Sequence, residues 1–140
     1  MPERSTTPDL ERTRGFFESM DRDWDLDALA GFFAPDAMWD LSDLGLGRFE
    51  GWAAIREFLD GWWANWEDHH HEIEEILDHG HGVVFLVIWE DGHPIASKGR
   101  VQARHGDVWE WVRGKLVRLT SSYDIDEART AAERLAEKRG

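Results

Sequence analysis

The sequence predicts an α+β fold, in which about three N-terminal helices pack on a strongly curved antiparallel sheet and a C-terminal helix follows. Apolar residues recur at helical spacing in the first half of the chain, and the second half changes to the two-residue period of strands. This order favours helices that cover one face of the sheet. The length of 140 residues fits one domain, which we place at residues 8–140 after a flexible segment of residues 1–7.

Two helices are predicted before the first strand. Thr7 is a cap for the first helix, and Pro8 occupies its first position. Apolar residues then recur at three- and four-residue spacing over residues 10–20, which places them on one helix face. A shorter helix with apolar residues over 26–33 ends at Pro35.

A third, longer helix follows a short strand and a glycine-rich loop. The strand is predicted over residues 37–41, the loop over 42–51 and the helix over 52–66. The apolar face of this helix is broad and consists of Ile55, Phe58, Leu59, Trp62, Trp63 and Trp66.

The second half of the chain predicts strands and one last helix. The strands fall at residues 72–77, 83–90, 95–112 and 116–123. Gly99 and Gly106 interrupt the longest of them and predict bulges or bends. Asp126 is predicted to cap the last helix, whose alanines would pack on the sheet.

Composition excludes several classes of function. Asp and Glu outnumber Lys and Arg by 29 to 16, for a net charge of −13, so nucleic acid and anionic membranes are not expected partners. The chain has no cysteine, which excludes disulfides and thiol catalysis. It shows neither a signal peptide nor a spanning segment, so we predict a soluble, cytoplasmic protein. Its nine tryptophans suit a core or a wide apolar cavity.

The three consecutive histidines His69 to His71 do not predict a metal site. Neighbouring residues of a strand point to opposite faces, so these three side chains cannot converge on one ion. The zinc signature that begins with His71 and Glu72 would need a second histidine where Glu75 stands. We predict that the cluster lies in a solvated loop. The chain also lacks phosphate-binding, dinucleotide-binding and nucleophile-elbow motifs, so no cofactor is expected.

One strand places an acid among aromatic residues. In a regular strand one face carries Ala103, His105, Asp107, Trp109 and Trp111. A carboxyl group in apolar surroundings must find a partner or take up a proton, which makes Asp107 a candidate proton donor or base. The alternative is that Asp107 lies at an exposed bend beside Gly106.

Other polar candidates flank the predicted cavity. Asp40 is a second candidate catalytic acid, and it alternates with Trp39, so only one of the two side chains can point inward. Thr120 and Ser122 are candidates for fixing a ligand, although each is equally an ordinary strand hydroxyl.

Three segments together resemble a known family. They are FFAPDAMWDLSD, FEGWAAIREFLDGWW and DVWEWVRGKLVRLTSSYDIDEA, and they resemble the SnoaL-like branch of the nuclear transport factor two superfamily. The resemblance covers roughly residues 10–132. It implies a cone-like fold, a pocket between the long helix and the concave sheet, and a homodimer through the convex sheet face, where Val101, Val108 and Val112 would otherwise be exposed.

The resemblance also assigns roles to residues. Ketosteroid isomerases of this superfamily use a late-strand aspartic acid, which matches Asp107. Their remaining site positions fall on Phe17, Leu59 and Leu41, which carry no polar group. Polyketide cyclases of the SnoaL type are more similar and imply Asp107 with His105 as acid–base groups.

The expected ligand site is therefore aromatic and apolar. We predict that it is formed by Phe17, Trp39, Leu59, Trp62, Trp63, Trp66, Trp89, Trp109, Trp111, Thr120 and Ser122. Three functions fit: a cyclase- or isomerase-type enzyme acting on a ring-containing substrate, a non-catalytic binder of such a molecule, or a dimeric interaction module whose interior its own tryptophans fill.

Overall fold

Six strands form one sheet in the computed structural model, which describes residues 7–23, 25–95 and 98–140, with the side chains of 21–23 excepted. The helices are α1 (Pro8–Asp23), α2 (Leu26–Ala30), α3 (Trp52–Ala64) and α4 (Ile125–Arg139). The strands are β1 (Phe33–Asp43), β2 (Gly47–Glu50), β3 (Trp66–Gly80), β4 (Val83–Pro94), β5 (Val101–Val112) and β6 (Lys115–Ser122). The predicted α+β class is confirmed.

The sheet has the order β2-β1-β6-β5-β4-β3. Every neighbouring pair is antiparallel except β1 and β6, which run parallel. The sheet is therefore mixed rather than wholly antiparallel as predicted. Within the described parts of the chain, no helix has the length and apolar character needed to cross a bilayer.

The N-terminal half begins as predicted and then departs from the prediction. Thr7 caps α1, since its Oγ1 accepts a hydrogen bond from the Leu10 N–H at 3.2 Å. The prediction that the second helix includes Phe33 and ends at Pro35 is wrong, because α2 ends at Ala30 and Phe33 pairs with β6 as the first residue of β1. Pro35 lies inside β1, where the β1–β6 register is interrupted and no N–H is required. Residues 1–6 of the predicted flexible segment lie outside the described residues.

Two stretches predicted as loops are strands. Most of the glycine-rich loop forms a hairpin, in which β2 pairs with Met38–Leu41 of β1. Strand β3 begins at Trp66 and is 15 residues long. The prediction that His69 to His71 lie in a solvated loop is therefore wrong, since all three belong to β3 and pair with β4. The sequence pattern hid this strand because its outward side is a run of charged and polar residues.

Helices cover both faces of the sheet, which corrects the prediction that they cover one. The residues from Val83 to Ile88 of β4 are all buried, as expected of a strand enclosed on both sides. Alternate residues of this run pack with α1, α2 and α3 on one face, which we call the inner face. The others pack against Ala128 and Ala132 of α4 on the opposite, outer face. Val108 also lies there, 5% exposed beneath α4, so it is not the open dimer surface that the sequence predicts.

Strand β5 is regular across Gly106, where a bulge was predicted. Pairing with β4 continues without a shift from Val101 to Glu110. The glycine serves the packing of α4 instead, because a Cβ atom there would lie 2.9 Å from the Cβ of Ala128. Helix α4 is capped by Asp124, whose Oδ1 accepts from the Glu127 N–H at 3.0 Å, and not by Asp126 as predicted.

Gly106→Ala is expected to lower the free energy of unfolding by about 1–3 kcal/mol, because the added methyl group must push α4 away from the sheet. Gly61→Ala is the matched control, since nothing lies within 4 Å of its added Cβ and the residue is inside α3. That control should stabilise the protein by up to about 1 kcal/mol. Urea unfolding measures both, and equal effects of the two substitutions would contradict the close packing of α4.

Candidate functional site

A cavity of about 140 Å³ lies on the inner face, between the sheet and the helices α1 and α3. Three large side chains of its lining are exposed, namely Leu46, Val101 and Tyr123, so the cavity opens to solvent beside them. Deeper in the cavity the lining includes Phe16, Leu59, Ile88 and Trp109, all at most 3% exposed. The buried part of the lining is thus mainly apolar, and the cavity is open at one side.

Aromatic rings in mutual contact form one wall of the cavity. The centroid of Phe58 lies 5.8 Å from that of Trp39 and 5.9 Å from that of Trp62. Trp66 continues the series, with its ring 5.3 Å from Trp62 and 5.0 Å from His69. Such edge and offset contacts fix ring positions as well as bury area.

A buried histidine between two carboxylates also lines the cavity. His105 Nδ1 lies 2.7 Å from Asp107 Oδ1, and His105 Nε2 hydrogen-bonds Glu90 Oε2. The indole N–H of Trp109 donates to Asp107 Oδ2 at 3.2 Å. Strand alternation brings these groups together, because residues 105, 107 and 109 of β5 share the inner face. The Asp107 carboxyl thus has the partner that a buried acid requires.

The charges of this cluster control its protonation. Burial disfavours the imidazolium, but the carboxylates of Asp107 and Glu90 outweigh this effect and raise the pKa of His105 to about 10. Burial likewise disfavours the Glu90 carboxylate, but hydrogen bonds from His105 and His69 outweigh it and lower the pKa of Glu90 to about 2. At neutral pH His105 is therefore an imidazolium that donates from both ring nitrogens.

Glu90 and His69 belong to the site although neither was a candidate in the sequence analysis. His69 Nε2 lies 2.9 Å from Glu90 Oε1, and the histidine side chain is 4% exposed. Alternation places His71 on the same face, where its ring contacts Phe17, and leaves His70 exposed. The one signal in the sequence was Glu90 itself, an acid in register with the buried apolar residues Leu86 and Ile88.

The SnoaL-like domain model matches residues 13–119 of the chain. The protein belongs to this family. No curated protein sequence matches the chain.

Solved structures share the fold of this SnoaL-like chain. A nuclear transport factor two-like protein of unknown function from Burkholderia pseudomallei has a TM-score of 0.73 at 18% identity, covering 87% of this chain and 95% of its own. TerC, co-crystallised with polyporic acid, has a TM-score of 0.71 at 20% identity, covering 94% and 99%. The epoxide hydrolase/cyclase-like enzyme SalBIII is described in pyran ring formation in the polyether salinomycin. Its structure has a TM-score of 0.70 at 19% identity, covering 81% of this chain and 88% of its own. At these identities the likeness concerns the fold alone.

Most predicted site residues of this SnoaL-like domain lie around the cavity. The catalytic candidates Asp107 and His105 do so. Among the predicted ligand-binding residues, the cavity is lined by Phe17, Trp39, Leu59, Trp62, Trp63, Trp66 and Trp109.

Asp40 lies on the outer face, away from the cavity. Trp39 takes the inward position of this alternating pair, as the geometry of β1 allows only one of them to do. The Asp40 carboxylate accepts a hydrogen bond from the Ser42 N–H at 3.0 Å and faces Arg48 and Arg118 at 3.8 and 3.7 Å. Its position gives no support to the catalytic role predicted for it.

Four predicted ligand-binding residues also lie outside the cavity lining. Trp89 is on the outer face, where the guanidinium of Arg104 lies 5.5 Å from its ring centroid. Trp111 is buried beneath α1, with its indole N–H donating to Thr13 at 3.0 Å. The remaining two are Thr120 and Ser122, which pair with outward residues of β5, whereas Ser121 between them lines the cavity.

No cluster suited to a metal ion occurs in the described ranges, where no three His, Asp or Glu side chains are grouped to hold one. The carboxylates of the site instead pair with histidines. The arrangement is thus suited to holding and moving protons beside an apolar ligand.

Proposed function

We propose that the chain binds a small, hydrophobic, ring-containing molecule and transfers a proton to or from it, in a reaction of the cyclase or isomerase type. The observation that carries this proposal is the His105 cluster in the wall of an aromatic cavity. Buried charged groups that meet in a cavity are typical of acid–base sites. The comparison with SalBIII adds support at the level of the fold, since that enzyme is described in pyran ring formation.

The size of the cavity limits the part of the ligand that it encloses. Its volume of about 140 Å³ is close to that of a cavity of about 150 Å³ that holds one benzene ring. Pockets for drug-sized ligands occupy roughly 300–1,000 Å³. We therefore expect one ring inside and any remaining part of the ligand at the mouth beside Tyr123.

Asp107 is the proposed base. Its carboxyl group lies in the cavity wall, 3% exposed, and is held in place by His105 Nδ1 at 2.7 Å and by the indole N–H of Trp109 at 3.2 Å. A C–H bond next to a ligand carbonyl would give its proton to Asp107 and leave an enolate. In an isomerisation the proton would return from Asp107 to another carbon of the conjugated enolate. In a ring closure the enolate carbon would attack a second carbonyl of the same molecule, and the alkoxide formed there would take the proton back from Asp107.

Proton exchange into a ketone tests this proposal without knowledge of the natural ligand. Phenylacetone, a one-ring ketone with acidic C–H bonds, is incubated with the protein in deuterium oxide and followed by NMR. Catalysed replacement of hydrogen by deuterium at the carbon between ring and carbonyl is expected. Binding without exchange would instead favour the non-catalytic binder, and the absence of both would contradict the proposal.

Two further predictions from the sequence are a homodimer and, as an alternative function, an interaction module whose interior its own tryptophans fill. The existence of a cavity disfavours an interior filled by its own tryptophans. A homodimer remains our proposal from the family resemblance, with the outer face around Trp89 and Arg104 as the region that α4 leaves open.

A further inference from the structure

Two touching rings in the cavity wall each carry a nitrogen without a hydrogen-bond partner. The rings of Trp66 and His69 lie 5.0 Å apart at an angle of 57°. Both line the cavity, and neither Trp66 Nε1 nor His69 Nδ1 has a partner in the described part of the chain, although both atoms are buried. Because more than about nine in ten buried polar groups in native proteins are hydrogen-bonded, this pair points to a polar group of a ligand.

The contact with Glu90 determines what His69 offers to a ligand. Glu90 is ionised and can only accept, so His69 Nε2, 2.9 Å away, carries the hydrogen. In the neutral imidazole Nδ1 is then an acceptor. Glu90 thereby orients His69 in the same way that a buried carboxylate orients the histidine of a catalytic triad.

Trp66 offers a donor in a fixed position. Its indole nitrogen can only donate a hydrogen bond. The six-membered part of the ring packs on Gly92 of β4, where a Cβ atom would lie 2.6 Å from Trp66 Cε3 and 2.8 Å from Cζ3. The ring is also held by Trp62 at 5.3 Å, so two neighbouring rings of the cavity wall provide one donor and one acceptor.

We propose that Trp66 and His69 recognise a hydroxyl group on the ring of the ligand, such as that of a phenol or an enol. One hydroxyl satisfies both residues, because its O–H donates to His69 Nδ1 while its oxygen accepts from Trp66 Nε1. This inference rests on the proposed function, since it concerns the same cavity, and it adds the chemical class of the ligand.

Two further unpartnered atoms of the lining fit an oxygenated ring rather than a hydrocarbon. They are Trp39 Nε1, a donor, and Ser121 Oγ, which can donate or accept. Ser121 pairs with Asp107 across β5 and β6, so a ligand oxygen that it contacts lies near the proposed base.

Three one-ring probes test the inference: p-cresol, its methyl ether p-methylanisole, and toluene, which has neither oxygen nor hydroxyl. Affinities are measured by titration calorimetry. We expect p-cresol to bind about tenfold tighter than p-methylanisole, because only the phenol satisfies the acceptor on His69. Equal affinities of p-cresol and p-methylanisole would overturn the inference. If toluene bound as well in that case, the apolar pocket of the proposed function would still be supported. Failure of all three probes to bind would count against both.

Matched variants locate the effect. His69→Phe keeps a ring and removes both nitrogens. This variant should therefore bind p-cresol and p-methylanisole with about equal affinity, while toluene still binds. His70→Phe changes the exposed neighbour on the opposite face and should keep the tenfold preference. A preference that survives His69→Phe would overturn the inference.

A spectroscopic readout does not depend on the folding of the His69 variant. The indole N–H resonance of Trp66, assigned through Trp66→Phe, should move downfield with p-cresol and stay near its free position with toluene. A shift of equal size with both probes would show ring packing alone and contradict hydroxyl recognition.

Discussion

Asp107→Asn is expected to slow deuterium exchange into phenylacetone by a factor of about 10²–10⁴, the range that a positioned acid or base contributes. The amide has nearly the shape of the carboxyl group and can keep the hydrogen bond from the Trp109 indole at its oxygen. It cannot accept a proton from carbon. NMR measures the exchange rate at a saturating probe concentration, so the loss should appear in the rate and not in the affinity.

Asp40→Asn is the matched control for this result. Asp40 is an acid of the same kind that lies on the outer face among arginines. Its substitution should leave the exchange rate unchanged. Exchange that survives in Asp107→Asn, or is lost equally in Asp40→Asn, would show that Asp107 is not the base.

His105→Leu is expected to lower the free energy of unfolding by about 3–5 kcal/mol at neutral pH. The substitution removes the cation that lies between Asp107 and Glu90 and leaves two carboxylates without their shared partner. A buried charge without compensation is far more costly than the loss of the pair as a whole. Chemical denaturation measures the change, and a loss below about 1 kcal/mol would contradict the charge arrangement described above.

The same cluster predicts how the stability of the unaltered protein depends on pH. The pKa of His105 rises from 6.5 to about 10 in the folded protein, so its stabilising contribution is complete below pH 6.5 and is lost as the pH rises towards 10. The pKa of Glu90 falls from 4.5 to about 2, so its contribution is complete above pH 4.5 and is lost as the pH falls towards 2. Each unit of pKa shift corresponds to about 1.4 kcal/mol of stability. The free energy of unfolding should therefore be highest between pH 4.5 and pH 6.5 and decline on both sides of this range. His105→Leu should abolish the decline on the alkaline side.

The residues on the inner face of β5 could be predicted from the sequence because the alternation of side chains along a strand alone determines them. Alternation over residues 103–109 needs only a regular register, and the register is regular. The same rule failed at β6, where the hydroxyl that lines the cavity is Ser121 and not its two neighbours. A shift of one residue reverses the face of every side chain, and the sequence of β6, rich in hydroxyls, does not determine that shift. Trp89 was misplaced for a related reason, since both faces of β4 are apolar.

The remaining parts of the site depend on contacts between distant residues. Glu90 belongs to the cluster because β5 on one side brings His105 to it and β3 on the other side brings His69 within 2.9 Å. The charged residues of β3 concealed this strand, so its histidines were predicted to be solvated. The outer position of α4 was likewise hidden, because its small alanines give a weak apolar pattern while Gly106 supplies the space for them.

The protonation of His105 tests the central claim most directly, because both the base and its charged partner depend on it. Long-range proton–nitrogen NMR spectra report whether each ring nitrogen carries a hydrogen. The account predicts imidazolium signals for both nitrogens of His105 up to about pH 9, and a change in these signals when phenylacetone enters the cavity. A neutral imidazole that titrates near the ordinary value of about 6.5, and that does not respond to the probe, would contradict it.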